Sequence, residues 1–507
     1  MKEISSSLDH LAVNTIRFLS IDQVEAAGSG HPGLPMGCAD IAHVLYTRHL
    51  RYNPDDPEWH GRDRFVLSAG HGSALLYSML HIAGYELPME GLENFRQWGS
   101  MTPGHPEYGH TPGVETTTGP LGQGFANGIG MAVAAKALSA RFATDEFDPF
   151  DYTVYALVSD GDLMEGISSE AGSLAGHLEL DNLVYIYDSN DISIEGSTGL
   201  AFTEDRAKRF EALGWAVKEI DGHDHKQIDE AICWAKEQNA PALIVANTRI
   251  GFGSPSYEGD AECHGKALGA DERAATAKNL KWVHEPFHVP DQVRDLYSRR
   301  ASELKPECEN WEKRFAAQLD ANPELDRLWQ QFTAEQLPDD LEEQLLASVD
   351  GMDNAATRKA SGAVIQKLAE IMPNLMGGSA DLSPSNKSVI QGSPSFLKGQ
   401  YGGRNMHFGV REHAMAAIVN GMVLSGLLRP YAATFLIFTD YMRNPMRLAA
   451  LMGIPAVYVL THDSIYVGED GPTHQPVEQV SSLRAIPNML VFRPAEARET
   501  ALCWAIA

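Results

Sequence analysis

Two short polar sequences in the first half of the chain contain residue types that bind metal ions. Asp160 and Gly161 follow the apolar run 153–158, and Asn190 lies just after the apolar run 182–187. A carboxylate, an amide oxygen and nearby loop carbonyls suit a small hard cation that takes its remaining ligands from a diphosphate and water. Gly161 lets the backbone come close to that diphosphate. The pattern therefore predicts a metal and diphosphate site.

The elements that must position these residues form a predicted βαβ unit over 153–196. The two apolar runs are typical of strands, and the small-residue segment between them is typical of a crossover helix. In a parallel sheet both runs end at the carboxyl edge, where open α/β sheets bind ligands. A purely structural reading stays open, because Asp160 could cap the following helix while Ser189 and Asn190 form an ordinary turn.

Three glycine-rich loops precede residue 125, and each contains a histidine. They carry His31, His71 and His105, and the third continues into the glycine-rich segment 119–124. Glycines let a ligand approach the backbone, while imidazoles bind phosphate or hydroxyl oxygens and move protons near neutral pH. A single histidine in such a loop is often only a turn residue. Three of them predict a polyhydroxylated, phosphorylated ligand.

The composition limits the partners. With 507 residues, 44% of them hydrophobic and 21% charged, the chain has material for two or three soluble domains. Its 40 basic and 68 acidic residues give a net charge of −28, which repels nucleic acid and anionic membrane. Five cysteines without CxxC spacing indicate neither a disulfide framework nor a zinc site, and they favour a reducing, cytoplasmic compartment.

Neither a signal peptide nor a membrane span is predicted. The N-terminal segment 1–27 has acidic residues and helical spacing over 8–27, in contrast to the uninterrupted apolar core of a signal peptide. The most apolar stretch, 422–438, is interrupted by Arg429 and Pro430.

The chain divides by pattern into two α/β regions. Residues 281–350 are rich in charged residues and tryptophan at helical spacing and lack glycine loops, so they predict a helical connection. A second α/β pattern follows from about residue 357. Its strand-like runs are 375–380, 432–438, 456–460 and 489–492.

A family resemblance joins these features. The first region contains SGHPG, SAGHGS, PGHPE, ETTTGPLGQG, SDGDLMEGIS and ECHGKALG, and the second contains ATRKASG, GGSADLSPSN, FGVREHAM, TFLIFTDYMR, THDS and GEDGPTHQPVEQ. In order and approximate spacing these motifs resemble those of the transketolases, which use thiamine diphosphate, and the matches run from His31 to Arg493. Ser159 stands where the usual first glycine would be, and Ser189 where many members have a second Asn. Neither departure removes a ligand.

The resemblance implies two doubly wound parallel-sheet domains that bind thiamine diphosphate. The diphosphate and metal domain would cover 1–280, a helical linker 281–354, and an incomplete pyrimidine domain 355–507. The chain ends in an apparently unfinished helix where the family continues into a third domain, so we expect a truncated sequence. In the family, two subunits complete each site, which implies a homodimer.

The resemblance also assigns cofactor contacts. Asp160, Asn190 and the main-chain carbonyl of Ile192 would bind Mg²⁺, with Ca²⁺ or another divalent cation as alternatives. Glu412 could simply favour a helix dipole, but the family places it against the aminopyrimidine nitrogen, where a buried protonated carboxyl promotes removal of the C2 proton. The implied cofactor-binding residues are His71, Gly119, Leu121, Asp160, Gly161, Asn190, His264, Asp381, Glu412, Phe435, Phe438 and Tyr441.

The aromatic residues of that set have their own alternative. Phe435, Phe438 and Tyr441 recur at steps of three, and a stripe of this kind is more often part of a core than of a cofactor site.

The substrate residues follow the same resemblance. Arg358 offers a guanidinium fork and Ser385 a hydroxyl, both suited to a sugar phosphate, although a lone Arg in an acidic chain is commonly a surface ion pair. Asp470 would read the configuration at the carbon beside the reacting one. The implied substrate-binding residues are His31, His105, His264, Arg358, Ser385, His462, Asp470 and His474, and the implied catalytic residues are Glu412, His474, His31 and His264.

The predicted activity is transketolase. A two-carbon ketol unit would pass from a ketose phosphate to an aldose phosphate through a carbanion of thiamine diphosphate, within the pentose phosphate pathway. Dihydroxyacetone synthase, 1-deoxyxylulose-5-phosphate synthase and a non-catalytic cofactor-binding paralogue are the alternatives. A nicotinamide dehydrogenase fits poorly, because Gly122, Gly124 and Gly128 lack the βαβ context of a dinucleotide loop.

Overall fold

A computed structural model describes residues 4–334 and 337–507. The described residues form two compact units, one from Met1–Gly128 and Asp151–Glu312 and the other from Ile129–Phe150 and Lys313–Ala507. The domain boundaries inferred from the sequence stay a prediction. Residues 335 and 336 of the predicted linker lie outside the described residues. No helix in the described part of the chain is both long and apolar enough to cross a membrane.

The first unit contains a parallel five-stranded sheet in the order β1-β2-β3-β7-β6, with a small antiparallel hairpin of β4 and β5 after β3. The strands are β1 Arg64–Leu67, β2 Val154–Ser159, β3 Leu183–Ser189, β4 Ile192–Ser193, β5 Gly196–Ser197, β6 Ala216–Asp221 and β7 Ala242–Asn247. Every side chain of β1, β2 and β3 is buried, as expected for the centre of a parallel sheet covered on both faces.

Within the described residues, eleven α-helices begin in or cross the first unit. They are α1 Ile4–Ala27, α2 Gly33–Val44, α3 Ser73–Ala83, α4 Met89–Glu93, α5 Gln123–Phe142, α6 Asp160–Met164, α7 Gly166–Leu178, α8 Arg206–Ala212, α9 His225–Lys236, α10 Ala270–Asn279 and α11 Asp291–Ala321. Among them α5 and α11 continue into the second unit. The predicted βαβ unit is confirmed, since α7 connects β2 to β3, and the helix predicted over 8–27 is α1.

The second unit contains a parallel four-stranded sheet in the order β11-β10-β8-β9. Its strands are β8 Leu375–Ser379, β9 Asn405–His407, β10 Arg429–Phe435 and β11 Val457–Thr461. Its further helices are α12 Pro323–Thr333, α13 Leu341–Ala347, α14 Thr357–Ile371, α15 Ser383–Asn386, α16 Glu412–Val423, α17 Thr439–Met452, α18 Gln479–Arg484 and α19 Ala497–Ile506.

Two glycines let the second sheet form. A Cβ atom on Gly378 would lie 1.8 Å from the carbonyl oxygen of Met406, and one on Gly377 would lie 2.3 Å from that of Tyr431. Side chains at either position would therefore push β8 away from its neighbours.

Three of the four strand-like runs predicted for the second region are strands, and one prediction was wrong. The runs 375–380, 432–438 and 456–460 contain β8, β10 and β11, although 436–438 form a 3-10 turn. The run 489–492 is irregular and pairs with no strand among the described residues. Leu490 is 72% exposed and Phe492 42% exposed. An apolar run becomes a strand only where a neighbour satisfies its backbone groups.

Candidate functional site

The carboxyl ends of β2 and β3 are held side by side. Ser159 is the register partner of Asp188, so the residues that follow these strands emerge at one edge of the sheet. Asp160, the first residue of α6, is 3% exposed. Its Oδ1 accepts a short hydrogen bond from the hydroxyl of Tyr187, whereas its buried Oδ2 has no hydrogen-bond partner in the described structure. Burial raises the pKa of Asp160 to about 7, and the Tyr187 hydrogen bond opposes that rise.

An unpartnered buried carboxylate oxygen fits a bound cation, because a charged oxygen away from water needs a compensating partner. Asn190, after β3, donates through Nδ2 to Asp188 Oδ2 at 2.8 Å. Its Oδ1 accepts the main-chain N–H of Ile192 at 3.0 Å and keeps a second lone pair. These oxygens have the hard character that Mg²⁺ and Ca²⁺ prefer.

The loop at 119–122 packs closely around this edge. A Cβ on Gly161 would lie 2.6 Å from Leu121 Cδ1, and one on Gly70 would lie 2.5 Å from the main-chain nitrogen of Gly119. Gly119 itself has φ +127°, and its Cβ position lies 3.0 Å from the ring of His105. The glycines of these motifs therefore allow close packing between loops of the protein, and the approach of a ligand to their backbone stays a prediction.

Four histidines from four separate loops form one cluster in the first unit. Ring centroids are 5.2 Å apart for His31 and His71, 5.1 Å for His71 and His264, 5.9 Å for His31 and His264, and 6.2 Å for His31 and His105. The sequence placed three of them in glycine loops, and His264 came from the family resemblance.

Burial makes the four imidazoles neutral. It lowers the pKa of His31 to about 4, with a further contribution from His264, and it lowers the pKa values of His71, His105 and His264 as well. A neutral ring offers both a donor and an acceptor nitrogen. The Nδ1 atom of His264 is buried without a hydrogen-bond partner in the described structure. The cluster therefore suits a ligand with many hydroxyl groups.

The second unit contains a ladder of three aromatic rings that runs from a buried residue to an exposed one. Phe435 and Phe438 lie 6.1 Å apart with an interplanar angle of 13°, and Phe438 and Tyr441 lie 6.2 Å apart at 23°. Exposure rises from 7% at Phe435 to 63% at Tyr441. His462 stacks on Phe435 at 3.7 Å, and His474 lies edge-on to Phe438 at 5.5 Å. Phe435 is therefore part of the core, whereas the exposed ring of Tyr441 is accessible to a ligand.

One cavity collects six of the predicted substrate and cofactor residues. It has a volume of about 1200 Å³, and the six residues that line it are Arg358, Ser385, Phe435, His462, Asp470 and His474. Arg358 Nη1 lies 3.0 Å from His462 Nε2 and donates to the main-chain oxygen of Ser385 at 3.3 Å. Ser385 thus meets Arg358 through its carbonyl group, whereas the sequence reasoning considered its hydroxyl.

Glu412 and Asp381 lie in the second unit but do not line the cavity described above. Glu412 is the first residue of α16 and is 7% exposed, and burial raises the pKa of its carboxyl group. Asp381 follows β8, is exposed, and has φ +61°. In the described part of the chain no hydrogen bond or ring contact joins Asp381 to the aromatic ladder.

Comparisons with known proteins agree with this geometry. Residues 8–338 match the family described as transketolase, thiamine diphosphate binding domain, and residues 353–507 match transketolase, pyrimidine binding domain. The chain belongs to the transketolase family. This confirms the resemblance, the α/β fold and the predicted transketolase activity, and it identifies thiamine diphosphate as the cofactor.

Individual transketolases are similar over nearly the whole chain. The chain is 50% identical to a transketolase of Geobacillus stearothermophilus and 48% identical to one of Bacillus subtilis, covering 99% of this chain and 76% of each relative. A solved transketolase from Leishmania mexicana has a TM-score of 0.95 at 44% identity and covers 98% of this chain and 75% of its own. The same score and identity relate the chain to a Pichia stipitis transketolase in complex with sedoheptulose-7-phosphate, with 99% and 75% covered.

Three residues of these transketolase sites were missed by the sequence reasoning. Asp162 accepts hydrogen bonds from the Ser68 hydroxyl and the Gly122 N–H, both at 2.7 Å, and from the Ser159 N–H at 2.9 Å. It therefore ties the 119–122 loop to the end of β2. The spacing of Ser159 and Asp162 resembles a capping box and could have indicated this role.

Arg96 and Tyr187 gave no comparable signal. Arg96 Nη2 lies 3.4 Å from His31 Nδ1 and supplies a cation beside the histidine cluster. Tyr187 contacts Asp160 and accepts a hydrogen bond from Arg206 Nε at 3.1 Å. Both contacts join segments that are distant in sequence.

Proposed function

We propose that this chain transfers a two-carbon ketol unit from a ketose phosphate to an aldose phosphate with Mg²⁺ and thiamine diphosphate bound at the carboxyl ends of β2 and β3. The observation that carries the proposal is the buried Asp160 Oδ2, which has no hydrogen-bond partner within the described residues. Asp160, Asn190 and the Ile192 carbonyl would hold the cation, and Ca²⁺ fits the same oxygen donors.

The 119–122 loop and the histidine cluster would hold the rest of the cofactor's charged end. Neutral imidazoles and exposed main-chain groups bind phosphate and hydroxyl oxygens without adding full charges. The proposed cofactor contacts in the first unit are His71, Gly119, Leu121, Gly161 and His264. Asp381, which lies in the second unit, is a further proposed cofactor contact.

The second unit would bind the aminopyrimidine ring. When bound, thiamine diphosphate supplies an acidic C2–H position whose deprotonation allows attack on a ketose carbonyl. Burial raises the pKa of the Glu412 carboxyl group, which favours the protonated form that would donate a hydrogen bond to a ring nitrogen. Phe435, Phe438 and Tyr441 offer stacked faces for the ring.

By the family resemblance, the first unit of one subunit and the second unit of its partner would each supply polar residues to the substrate. Three histidines would donate hydrogen bonds to sugar hydroxyls, accept hydrogen bonds from them, and move protons during bond cleavage and formation. They are His31, His105 and His264. Arg358, Ser385, His462 and His474 surround the cavity of the second unit, where Arg358 attracts a phosphate. Asp470, an exposed residue of the same cavity, accepts hydrogen bonds from hydroxyls beside the reacting carbon. The sugar-phosphate complex of the Pichia stipitis relative supports this substrate class.

The family also supports a homodimer, a cytoplasmic location and a place in the pentose phosphate pathway as parts of the same proposal. The net charge of −28 disfavours nucleic acid and anionic membrane as partners.

The test is formation of sedoheptulose 7-phosphate from xylulose 5-phosphate and ribose 5-phosphate by the 507-residue chain with thiamine diphosphate and Mg²⁺. We expect product from the unchanged chain and from the control Glu343→Ala, which alters an exposed glutamate of α13. We expect none from Glu412→Ala. Absence of product despite bound cofactor, or undiminished activity of Glu412→Ala, would overturn the proposal.

A further inference from the structure

A second group of metal-ligand side chains lies away from the cofactor and substrate residues. His49, Asp229 and Cys233 place one donor atom each within 4.8 Å of one another, the one such group of three or more His, Cys, Asp or Glu residues within the described ranges. We propose that this group binds Zn²⁺ through His49 Nε2, one Asp229 oxygen and the Cys233 thiolate, with water completing a tetrahedron.

The local structure presents the three donors to one point. Asp229 and Cys233 are four residues apart on α9, so their side chains share one helix face. His49 ends a π-helical turn, Leu45–His49, that directly follows α2. Such turns interrupt regular helices and are frequent at functional sites. His49 Nε2 and Asp229 Oδ1 form a hydrogen bond at 2.8 Å, so these two atoms already face each other, and an ion would replace the shared proton between them.

Neighbouring groups orient the donors. Arg48 Nη1 lies 3.2 Å from Asp229 Oδ2, which leaves Oδ1 facing His49. His49 is 8% exposed, and its ring lies against Asp229, away from bulk solvent. Cys233 is exposed, which gives a metal a path from solvent.

The donor set selects zinc over magnesium. A thiolate and an imidazole are ligands of borderline softness, which zinc prefers, whereas magnesium requires hard oxygens in an octahedron. The thiolate and the carboxylate together balance the two positive charges of the ion. On binding, the ring proton that Nε2 shares with Asp229 moves to Nδ1 and frees the Nε2 lone pair, and the Cys233 thiol releases its proton to solvent.

Bound zinc would connect the turn after α2 to α9 within the first unit. It therefore acts on stability, independently of the chemistry at the ends of β2 and β3. The spacing of the cysteines gave no hint of this site, because His49 is 180 residues from Asp229 and only one cysteine takes part.

The test uses the full chain saturated with thiamine diphosphate and Mg²⁺, to which Co²⁺ and then Zn²⁺ are added. Cobalt bound by a thiolate gives a near-ultraviolet charge-transfer band that oxygen ligands do not give. We expect this band, its loss on addition of Zn²⁺, and a Zn²⁺ affinity that falls by at least about tenfold in Cys233→Ala.

The matched control is Cys503→Ala, which removes the other cysteine that is not buried. This variant should keep both the band and the affinity. Position 233 is exposed and position 503 is partly exposed, and alanine favours helix at both. The melting temperature without added Zn²⁺ or Co²⁺ verifies that both variants fold. A band that persists in Cys233→Ala, an unchanged Zn²⁺ affinity in that variant, or no band in the unchanged chain would overturn the proposal.

Discussion

The contact between Tyr187 and Asp160 leads to a prediction about cation affinity. Tyr187 is fully buried on β3, and its hydroxyl donates to Asp160 Oδ1 while accepting from Arg206. The hydroxyl therefore fixes the orientation of the carboxylate whose other oxygen has no partner in the described structure. Tyr187→Phe keeps the ring and removes this restraint, together with the acceptor of the Arg206 hydrogen bond.

The magnitude follows from the type of bond that is lost. A hydrogen bond to a carboxylate contributes about 1.5–3 kcal/mol, and loss of a group that orients a metal ligand weakens metal binding about 10- to 100-fold. We therefore expect Tyr187→Phe to weaken Mg²⁺ binding by that factor. Calorimetric titration of the full chain with Mg²⁺, at constant thiamine diphosphate concentration, measures it.

A neighbouring tyrosine on β3 gives the matched control. Tyr185 is equally buried, and its hydroxyl donates to the main-chain oxygen of Phe125 at 2.7 Å, in a contact that does not involve Asp160. Tyr185→Phe should lower stability without changing Mg²⁺ affinity by more than about twofold. Equal Mg²⁺ affinities for Tyr187→Phe and the unchanged chain would refute the orienting role of the hydroxyl.

Three further outcomes test the packing and charges of the structure. Asp162→Asn replaces a carboxylate whose two oxygens accept four hydrogen bonds. This substitution should lower the free energy of unfolding, measured in urea, by about 2–4 kcal/mol. A loss below about 1 kcal/mol would contradict the role of Asp162 in tying the 119–122 loop to β2. Gly378→Ala should destabilise the second sheet strongly. The control Gly402→Ala should not, because a Cβ added there meets nothing within 4 Å. Equal urea midpoints for the two variants would show the steric argument to be wrong. The folded-state pKa of His31 is lowered from 6.5 to about 4, so the unfolded chain binds more protons between these values. The free energy of unfolding should therefore decrease as the pH is lowered from about 6.5 to about 4, and it should decrease less in His31→Gln; identical pH slopes would count against this.

Local patterns predicted much of the first unit. Apolar runs of strand length and a small-residue crossover lead directly to β2, α7 and β3, because buried parallel strands require continuous apolar side chains. The glycine loops predicted the approach of a ligand, whereas the close packing of Gly70 against Gly119 within the protein was not anticipated.

Contacts between distant segments could not be predicted in the same way. No local rule brings Arg96 to His31 or Tyr187 to Asp160, because both contacts depend on how whole strands and loops pack. The three-residue strand β9 is too short to give a periodic signal. The run 489–492 has strand composition but no pairing partner in the described sheet, and composition alone does not reveal that.

The central claim is that Glu412 provides a buried, protonated carboxyl group for deprotonation of the bound cofactor at C2. The most direct test is the rate at which the C2 proton of bound thiamine diphosphate exchanges with deuterium, followed by NMR after rapid acid quench. Glu412→Gln keeps the size of the side chain but cannot transfer the carboxyl proton, so we expect exchange at least about 100-fold slower than in the unchanged chain, with cofactor still bound. An exchange rate in Glu412→Gln equal to that of the unchanged chain would contradict the account.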